Sequence, residues 1–442
     1  MQRVRWIRRR RWIRVDRQER SRSAAIVASP DNGPVETPGI LDHWGGGPAG
    51  APPGAGRRWD VFCRVVDNLG DVGVCWRLAR GLAQRGQKVR LWIDEPAPLA
   101  WMAPDGAPGV KVVRWPSPWD DAAGPFEPGD VVVEAFGCDL PEAVLAAMAA
   151  RGATPRGAPL WLDLEYLSAQ PWVARSHGLP SPQFHGPGAG LTRWFFFPGF
   201  DPGTGGLLRE PDLLQARAAF DRDAWLAAHG LARQPGERVL VVFCYDAAPA
   251  LAQLPGAFAQ AAGAGPLAVL LTPGAAQRAG TQTQAAWPAG TRVHALDWLA
   301  QDDFDRLLWS ADLATVRGED SLVRAIWAGV PFLWQAYAQQ DGAHAAKVEA
   351  MLDALAAPAE VAAPLAMAWR VWNGMAGAYA EPPADGQPGR TPPGRTAPAP
   401  LQLPPLQAWQ AAVRAWRDRL AAQPDLVTQL LAFASAHSAR AS

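Results

Sequence analysis

"VVDNLGDVGVCWRLARGLA", residues 65–83, decides how the rest of the chain is read. Before it runs "WDVFCRVV", an apolar stretch of strand length. Within it Cys75, Leu78, Ala79 and Leu82 recur at i, i+3, i+4 and i+7, which predicts one helical face ending at Gly86. "KVRLWI" then completes a strand–helix–strand unit. A glycine-bearing turn between strand and helix commonly holds phosphate on backbone N–H groups. This turn instead carries Asp67 and Asp71, and it has only Gly70 and Gly73 where a dinucleotide fingerprint needs three glycines.

The alternation continues outward. "VKVVRW" (110–115), "DVVVEAF" (130–136) and "PLWLDLEYL" (159–167) read as strands, with "PEAVLAAMAARG" as a helix. After "FFFPGFDPGTGGLLRE" (195–210), read as a connection between domains, a second series begins. Its strands are "RVLVVFCY" (238–245), "PLAVLLTPG" (266–274), "TRVHAL" (291–296), "ADLATVR" (311–317) and "VPFLWQAY" (330–337). "DDFDRLLWSA" and "SLVRAIWAG" are helices between them, with Asp and Ser available as N-caps. The fold class is therefore α/β, with two doubly wound, Rossmann-like domains facing a cleft, as in GT-B type glycosyltransferases. Residues 58–200 read as an N-terminal Rossmann-like domain and 206–380 as a C-terminal one. An Arg-rich then Gly/Pro-rich extension (1–57) reads as disordered, 381–405 as a flexible Pro-rich insertion, and 406–442 as a C-terminal helical segment.

Composition narrows the function. Lys+Arg equals Asp+Glu at 42 each, which argues against a general nucleic-acid or membrane-surface binder. No run has the length of a membrane span or the apolar core of a signal peptide. The four cysteines lie apart, mostly in apolar runs, and read as buried thiols of a cytoplasmic protein. Seven histidines show no metal-binding spacing, so no metal is expected.

An unpaired carboxylate beside a diphosphate is repelled by about 1 kcal/mol even in water at contact. Asp67 and Asp71 are better suited to holding a cation, or to taking a proton from one. The plainer alternative is that Asp71 caps the helix, and chemistry alone leaves the two open. A second acidic turn, "VRGEDSLVRAIWAG" (316–329), places Arg317 before Gly318, with Glu319, Asp320 and Ser321 opening a helix. Backbone N–H groups, the Ser321 hydroxyl and the Arg317 fork fit a phosphate, and Glu319 fits ribose hydroxyls. Ordinary capping is the alternative here too.

Four runs in order carry a resemblance: "FCRVVDNLGDVGVCWRLARGLA", "WLDLEYLSAQPWVARSHGLPSPQ", "FFFPGFDPGTGGLLRE" and "VRGEDSLVRAIWAGVPF". Together they resemble the elongation factor P arginine rhamnosyltransferases (EarP) from Trp59 to about Asp353. The resemblance implies an inverting transferase whose donor is dTDP-β-L-rhamnose and whose acceptor is an arginine of elongation factor P, activated thereby to rescue ribosomes stalled at polyproline. It implies no cofactor. The family's catalytic aspartates fall on Asp67 and Asp71, with Asp71 the general base. Its donor-binding residues fall on Phe243, Tyr245, Trp298, Gln301, Phe304, Arg317, Glu319, Asp320 and Ser321. Departures are present: the usual "WHIYPQ" reads "WQAYAQ" (334–339), and Trp298 replaces a more usual phenylalanine. The acceptor accounts for the acidic turn, because a guanidinium stays charged at neutral pH and is a poor nucleophile until carboxylates orient and deprotonate it. The competing readings are a GT-B enzyme with another nucleotide sugar and a small acceptor, and a non-catalytic translation-factor binding module. A nicotinamide-dependent dehydrogenase is disfavoured by the missing glycine fingerprint.

Overall fold

The apolar runs become two parallel sheets. In this computed structural model residues 56–115, 119, 125–246, 248, 250–263, 265–337, 343–375 and 399–438 are described. The first series is β1 (Arg58–Cys63), α1 (Asn68–Gln84), β2 (Lys88–Ile93), α2 (Leu99–Met102), β3 (Val110–Arg114), β4 (Val131–Ala135), α3 (Glu142–Gly152), β5 (Leu160–Leu164), α4 (Trp172–Ser176), β6 (Pro180–Pro182) and β7 (Thr192–Phe196). Its strands pair in the order β3-β2-β1-β4-β5-β7-β6, parallel except for β6 against β7. Period-2 alternation fills both faces. Trp59, Val61 and Cys63 of β1 pack under Cys75, Leu78 and Leu82 of α1. Phe62, between them in sequence, faces the other way into Trp92, Val132 and Trp161.

The second series is α5 (Leu213–Ala218), α6 (Arg222–Ala228), β8 (Arg238–Val242), α7 (Leu254–Ala262), β9 (Leu267–Leu271), α8 (Ala275–Thr283), β10 (Arg292–Ala295), α9 (Gln301–Ser310), β11 (Leu313–Arg317), α10 (Asp320–Ala328), β12 (Phe332–Gln335), α11 (Ala343–Leu355) and α12 (Ala359–Trp372). Its sheet, β10-β9-β8-β11-β12, is parallel throughout. Both sheets belong to one compact unit, His43–Ser442. In each, connections leave the central strand in opposite directions, β2 on one side of β1 and β4 on the other, β9 and β11 on either side of β8. Such switch points open a crevice at the carboxyl ends of the strands.

Several sequence expectations are corrected here. "DNLGDVG" is not a turn: α1 begins at Asn68, so Gly70 and Gly73 lie inside its first two turns. The glycines serve close approach. A Cβ at Gly73 would stand 2.9 Å from Asp320 Oδ2 and 3.0 Å from Gln301 Nε2. The expected Asp and Ser caps are absent from α9 and α10, whose N-cap positions hold Ala300 and Glu319 without side-chain cap bonds. The single C-terminal helical pattern is two helices, α13 (Leu406–Ala421) and α14 (Leu426–Ser438), separated around Pro424. Trp409, Val413 and Trp416 of α13 join the second core, whereas Leu426, Val427, Leu430 and Ala434 of α14 return to the first.

The expected insertion lies outside the described residues except for 399–405. That end of it is packed: Leu401 is buried and its N–H donates to Gln253 Oε1 at 2.8 Å. The 1–57 extension is likewise outside them apart from Gly56 and Arg57, and the Arg57 carbonyl accepts from Lys88 N–H at 3.0 Å. No helix among the described residues is long and apolar enough to cross a membrane.

Candidate active site

The chain between β1 and α1 is held by carboxylates that accept from its backbone. Val65 N–H donates to Asp94 Oδ1 at 2.9 Å, and the N–H groups of Val66 and Asp67 both donate to Asp71 Oδ2, at 2.7 and 2.8 Å. Asp67 occupies the N-cap position of α1 but makes no cap bond. Its Oδ2 instead accepts from the Tyr245 hydroxyl at 2.8 Å, a bond across the two domains. Asp71 is 3% exposed. Burial pushes its carboxyl up to about 6, against the two backbone N–H bonds that favour its charged form. Burial also raises Asp67, opposed by the Tyr245 bond and the nearby Arg317 charge.

The facing wall comes from the ends of β8 and β11. Phe243 and Tyr245 follow β8, and the Arg317 guanidinium lies 4.6 Å over the Phe243 ring and 4.4 Å over that of Tyr245. Gly318 is required twice over. It has φ +59°, and a Cβ there would meet Asp67 Oδ2 at 2.7 Å and the Tyr245 hydroxyl at 3.0 Å. The Ser321 hydroxyl accepts from Arg317 N–H at 3.0 Å and donates to the Arg317 carbonyl at 2.5 Å, tying strand end to helix start. Tyr245 N–H donates to Gln335 Oε1 at 2.8 Å, in the segment where the family's histidine is replaced; Ala338 and Gln339 of "WQAYAQ" lie outside the described residues.

Between these walls is a cleft of about 750 Å³. Of the residues singled out in sequence, Asp67, Phe243, Trp298, Gln301, Phe304, Arg317, Asp320 and Ser321 line it. Asp71, Tyr245 and Glu319 do not. Asp71 and Tyr245 act on Asp67 from behind, and half-buried Glu319 accepts from Leu167 N–H at 2.9 Å. Burial, reinforced by the Asp71 and Asp67 charges, pushes Glu319 up to about 8. Phe243 meets Phe304 edge-on at 5.4 Å, and Trp298 lies tilted over Trp101 at 4.4 Å. Among the described residues, no group of His, Cys, Asp and Glu could hold a metal ion.

Three features escaped the sequence reading. Arg77 of α1, 2% exposed, reaches into the second domain, with Nη2 3.1 Å from Asp305 Oδ1, Nη1 3.1 Å from Glu210 and Nε 3.1 Å from Asp320. Arg324 of α10 meets Asp305 and Glu210 from the other side. Burial alone would lower Arg77, but the Asp305, Asp320 and Glu210 charges hold it above its ordinary value. The helix carries a second arginine, Arg80, and nothing in its sequence marked Arg77 as the buried one that needs paired carboxylates. Tyr166, stacked on Phe136 at 4.5 Å, is raised by burial and by the Asp71, Glu319 and Asp67 charges. Trp101, from α2, is the third; nothing in its local pattern set it apart.

Two Rossmann-like domains with their strand ends turned to one cleft define a GT-B type glycosyltransferase. The sequence model of the family described as elongation-factor P (EF-P) rhamnosyltransferase EarP matches residues 59–435, and the chain belongs to that family. It is 42% identical over 404 residues to the protein-arginine rhamnosyltransferase of Pseudomonas aeruginosa, covering 85% of this chain and 98% of that protein. The Pseudomonas putida enzyme of the same description is 42% identical over 410 residues, with the same coverage. A solved structure concerned with EarP-mediated arginine glycosylation of translation elongation factor EF-P is similar at TM-score 0.51 and 30% identity, over 85% of this chain and 98% of that one.

Proposed function

We propose that this protein moves rhamnose from dTDP-β-L-rhamnose to an arginine side chain of elongation factor P, in the cytoplasm, with inversion and without a cofactor. The product is elongation factor P activated for ribosomes stalled at polyproline. Membership of the EarP family supports the reading, and one observation carries it: the Asp67 carboxylate, with buried Asp71 bonded to its backbone N–H, faces Arg317 and an aromatic wall across a single cleft.

The acceptor guanidinium is oriented by Asp67, whose carboxylate Tyr245 keeps in place. Asp71 Oδ2 accepts from two backbone N–H groups, one of them that of Asp67, which sets the two carboxylates side by side. As an acceptor nitrogen bonds to the sugar's anomeric carbon, the bond from that carbon to the diphosphate oxygen breaks. The nitrogen's proton passes to Asp71, and dTDP leaves. A base titrating near 6 is ionised at neutral pH yet still a competent proton acceptor. Arg317 and the backbone N–H groups opening α10 meet the charge growing on the diphosphate. Ser321 fixes Arg317, and Asp320 is held by Arg77 at the cleft wall. Phe243, Trp298, Gln301 and Phe304 receive the nucleoside. Glu319, uncharged at neutral pH, adds no third negative charge beside the pair.

The test is intact mass spectrometry of elongation factor P incubated with the protein and dTDP-rhamnose. The expected gain is one deoxyhexose, localised to arginine by fragmentation. No gain with dTDP-rhamnose, but gain or hydrolysis with another nucleotide sugar, overturns the donor assignment.

A further inference from the structure

The cleft is lined by polar Asp67, Arg317, Asp320 and Ser321 and by apolar Met102, Leu296, Leu299 and Phe304, with Phe243 under the Arg317 guanidinium. Two indoles that also line it meet from opposite domains. Trp101 belongs to α2, whose Leu99 and Met102 are buried and anchor this single turn to the first domain, leaving Trp101 half-buried at the cleft. Trp298 precedes α9 in the second domain and is 51% exposed, unusual for so large an apolar side chain. Their ring centroids are 4.4 Å apart at 36°.

We propose that Trp101 is a nucleobase-binding residue contributed by the first domain, closing with Trp298 as a clasp over the base of the donor. The proposal rests on the donor reading above only in taking the cleft as a sugar-nucleotide site. With a diphosphate drawn to Arg317, the attached base is taken up between the two indoles, among the apolar lining residues. A base between them needs two stacking layers of about 3.5 Å each, so the rings must part from 4.4 Å to about 7 Å. One indole–indole contact is then exchanged for two indole–base contacts. Any base has a π face, so the clasp supplies affinity while the groups around its edge supply the choice of base.

The experiment titrates the full chain and its Trp101→Ala and Trp101→Phe variants calorimetrically with dTDP, and measures inorganic pyrophosphate by the concentration that displaces dTDP. Trp101→Ala is expected to weaken dTDP about tenfold, a stacking contribution of ordinary size, and to leave pyrophosphate within about twofold. Trp101→Phe, which keeps a ring, is expected to stay within about threefold for both. Equal losses of dTDP and pyrophosphate in Trp101→Ala would mean that the indole only supports the fold, and unchanged dTDP affinity would mean that it touches no base. Either result overturns the proposal. A native chain that ignores dTDP but binds UDP or GDP overturns the donor reading alone, and the same comparison is then made with that nucleotide. Binding of no nucleoside diphosphate overturns both.

Discussion

Replacing Asp71 with asparagine should make the protein inactive and, above pH 6, more stable. The carboxyl is raised from its ordinary 3.8 to about 6 by burial, a difference of about 3 kcal/mol between charged and neutral forms. The sign follows from linkage. The native state binds this proton more tightly than the unfolded chain does, so the stabilisation is complete below about pH 4 and lost as pH rises through about 6. Above that the buried carboxylate costs up to about 3 kcal/mol. Asparagine carries no charge at any pH, and its amide oxygen can take both N–H bonds now made by Val66 and Asp67 to Oδ2. The variant should match the native protein near pH 4 and exceed it by up to about 3 kcal/mol at pH 8. At about 2.1 cal/mol/K per residue, that is a Tm gain of about 3 °C for a chain of this length. Scanning calorimetry at pH 4, 6 and 8 reads the stability, and mass-detected transfer at pH 8 reads the activity, expected to fall by about 10²-fold or more. A variant less stable than native at pH 8, or an advantage that does not vary with pH, refutes the burial argument; retained native turnover refutes the assigned base.

Tyr245→Phe deletes the hydroxyl whose bond lowers Asp67, so the Asp67 carboxyl should rise further. The acid limb of the pH–rate profile then moves to higher pH and transfer falls by about tenfold, while dTDP affinity holds within about threefold; an unmoved acid limb would refute the coupling. Arg77→Met leaves Asp305, Asp320 and Glu210 without one of their cations and should cost about 3–5 kcal/mol in urea unfolding. Arg77→Lys should recover little of it, since one ammonium cannot serve three carboxylates from a forked geometry; full recovery would show that charge alone matters.

Much of the architecture was legible because buried parallel strands are short, apolar and bounded by turn residues. β2, β3, β4, β5, β8, β9, β10, β11 and β12 all lie within the runs expected, and β1 begins one residue before its run. The first turn was misread because glycine usually marks a loop. Gly70 and Gly73 sit inside α1 since what they accommodate, Asp67 on one side and Asp320 with Gln301 on the other, is partly contributed by residues more than 200 positions away. β6 and β7 were missed for a related reason. "PSP" carries no strand propensity and pairs only because β7 offers an edge. In the cleft, residue types announced Asp67, Arg317 and the aromatic wall. Arg77, Trp101 and Tyr166 became visible only when two distant segments were brought together, because each depends on a partner rather than on its neighbours in sequence.

The helix α1 has an unforgiving length. Asp67 stands at its head facing Tyr245, and ten positions on Arg77 is pinned among carboxylates of the other domain. One rigid rod, about 15 Å between those points, thus fixes the spacing between its two attachments to the second domain. A single residue inserted between Asp71 and Arg77 would turn one end by about 100° against the other and disengage whichever end failed to follow.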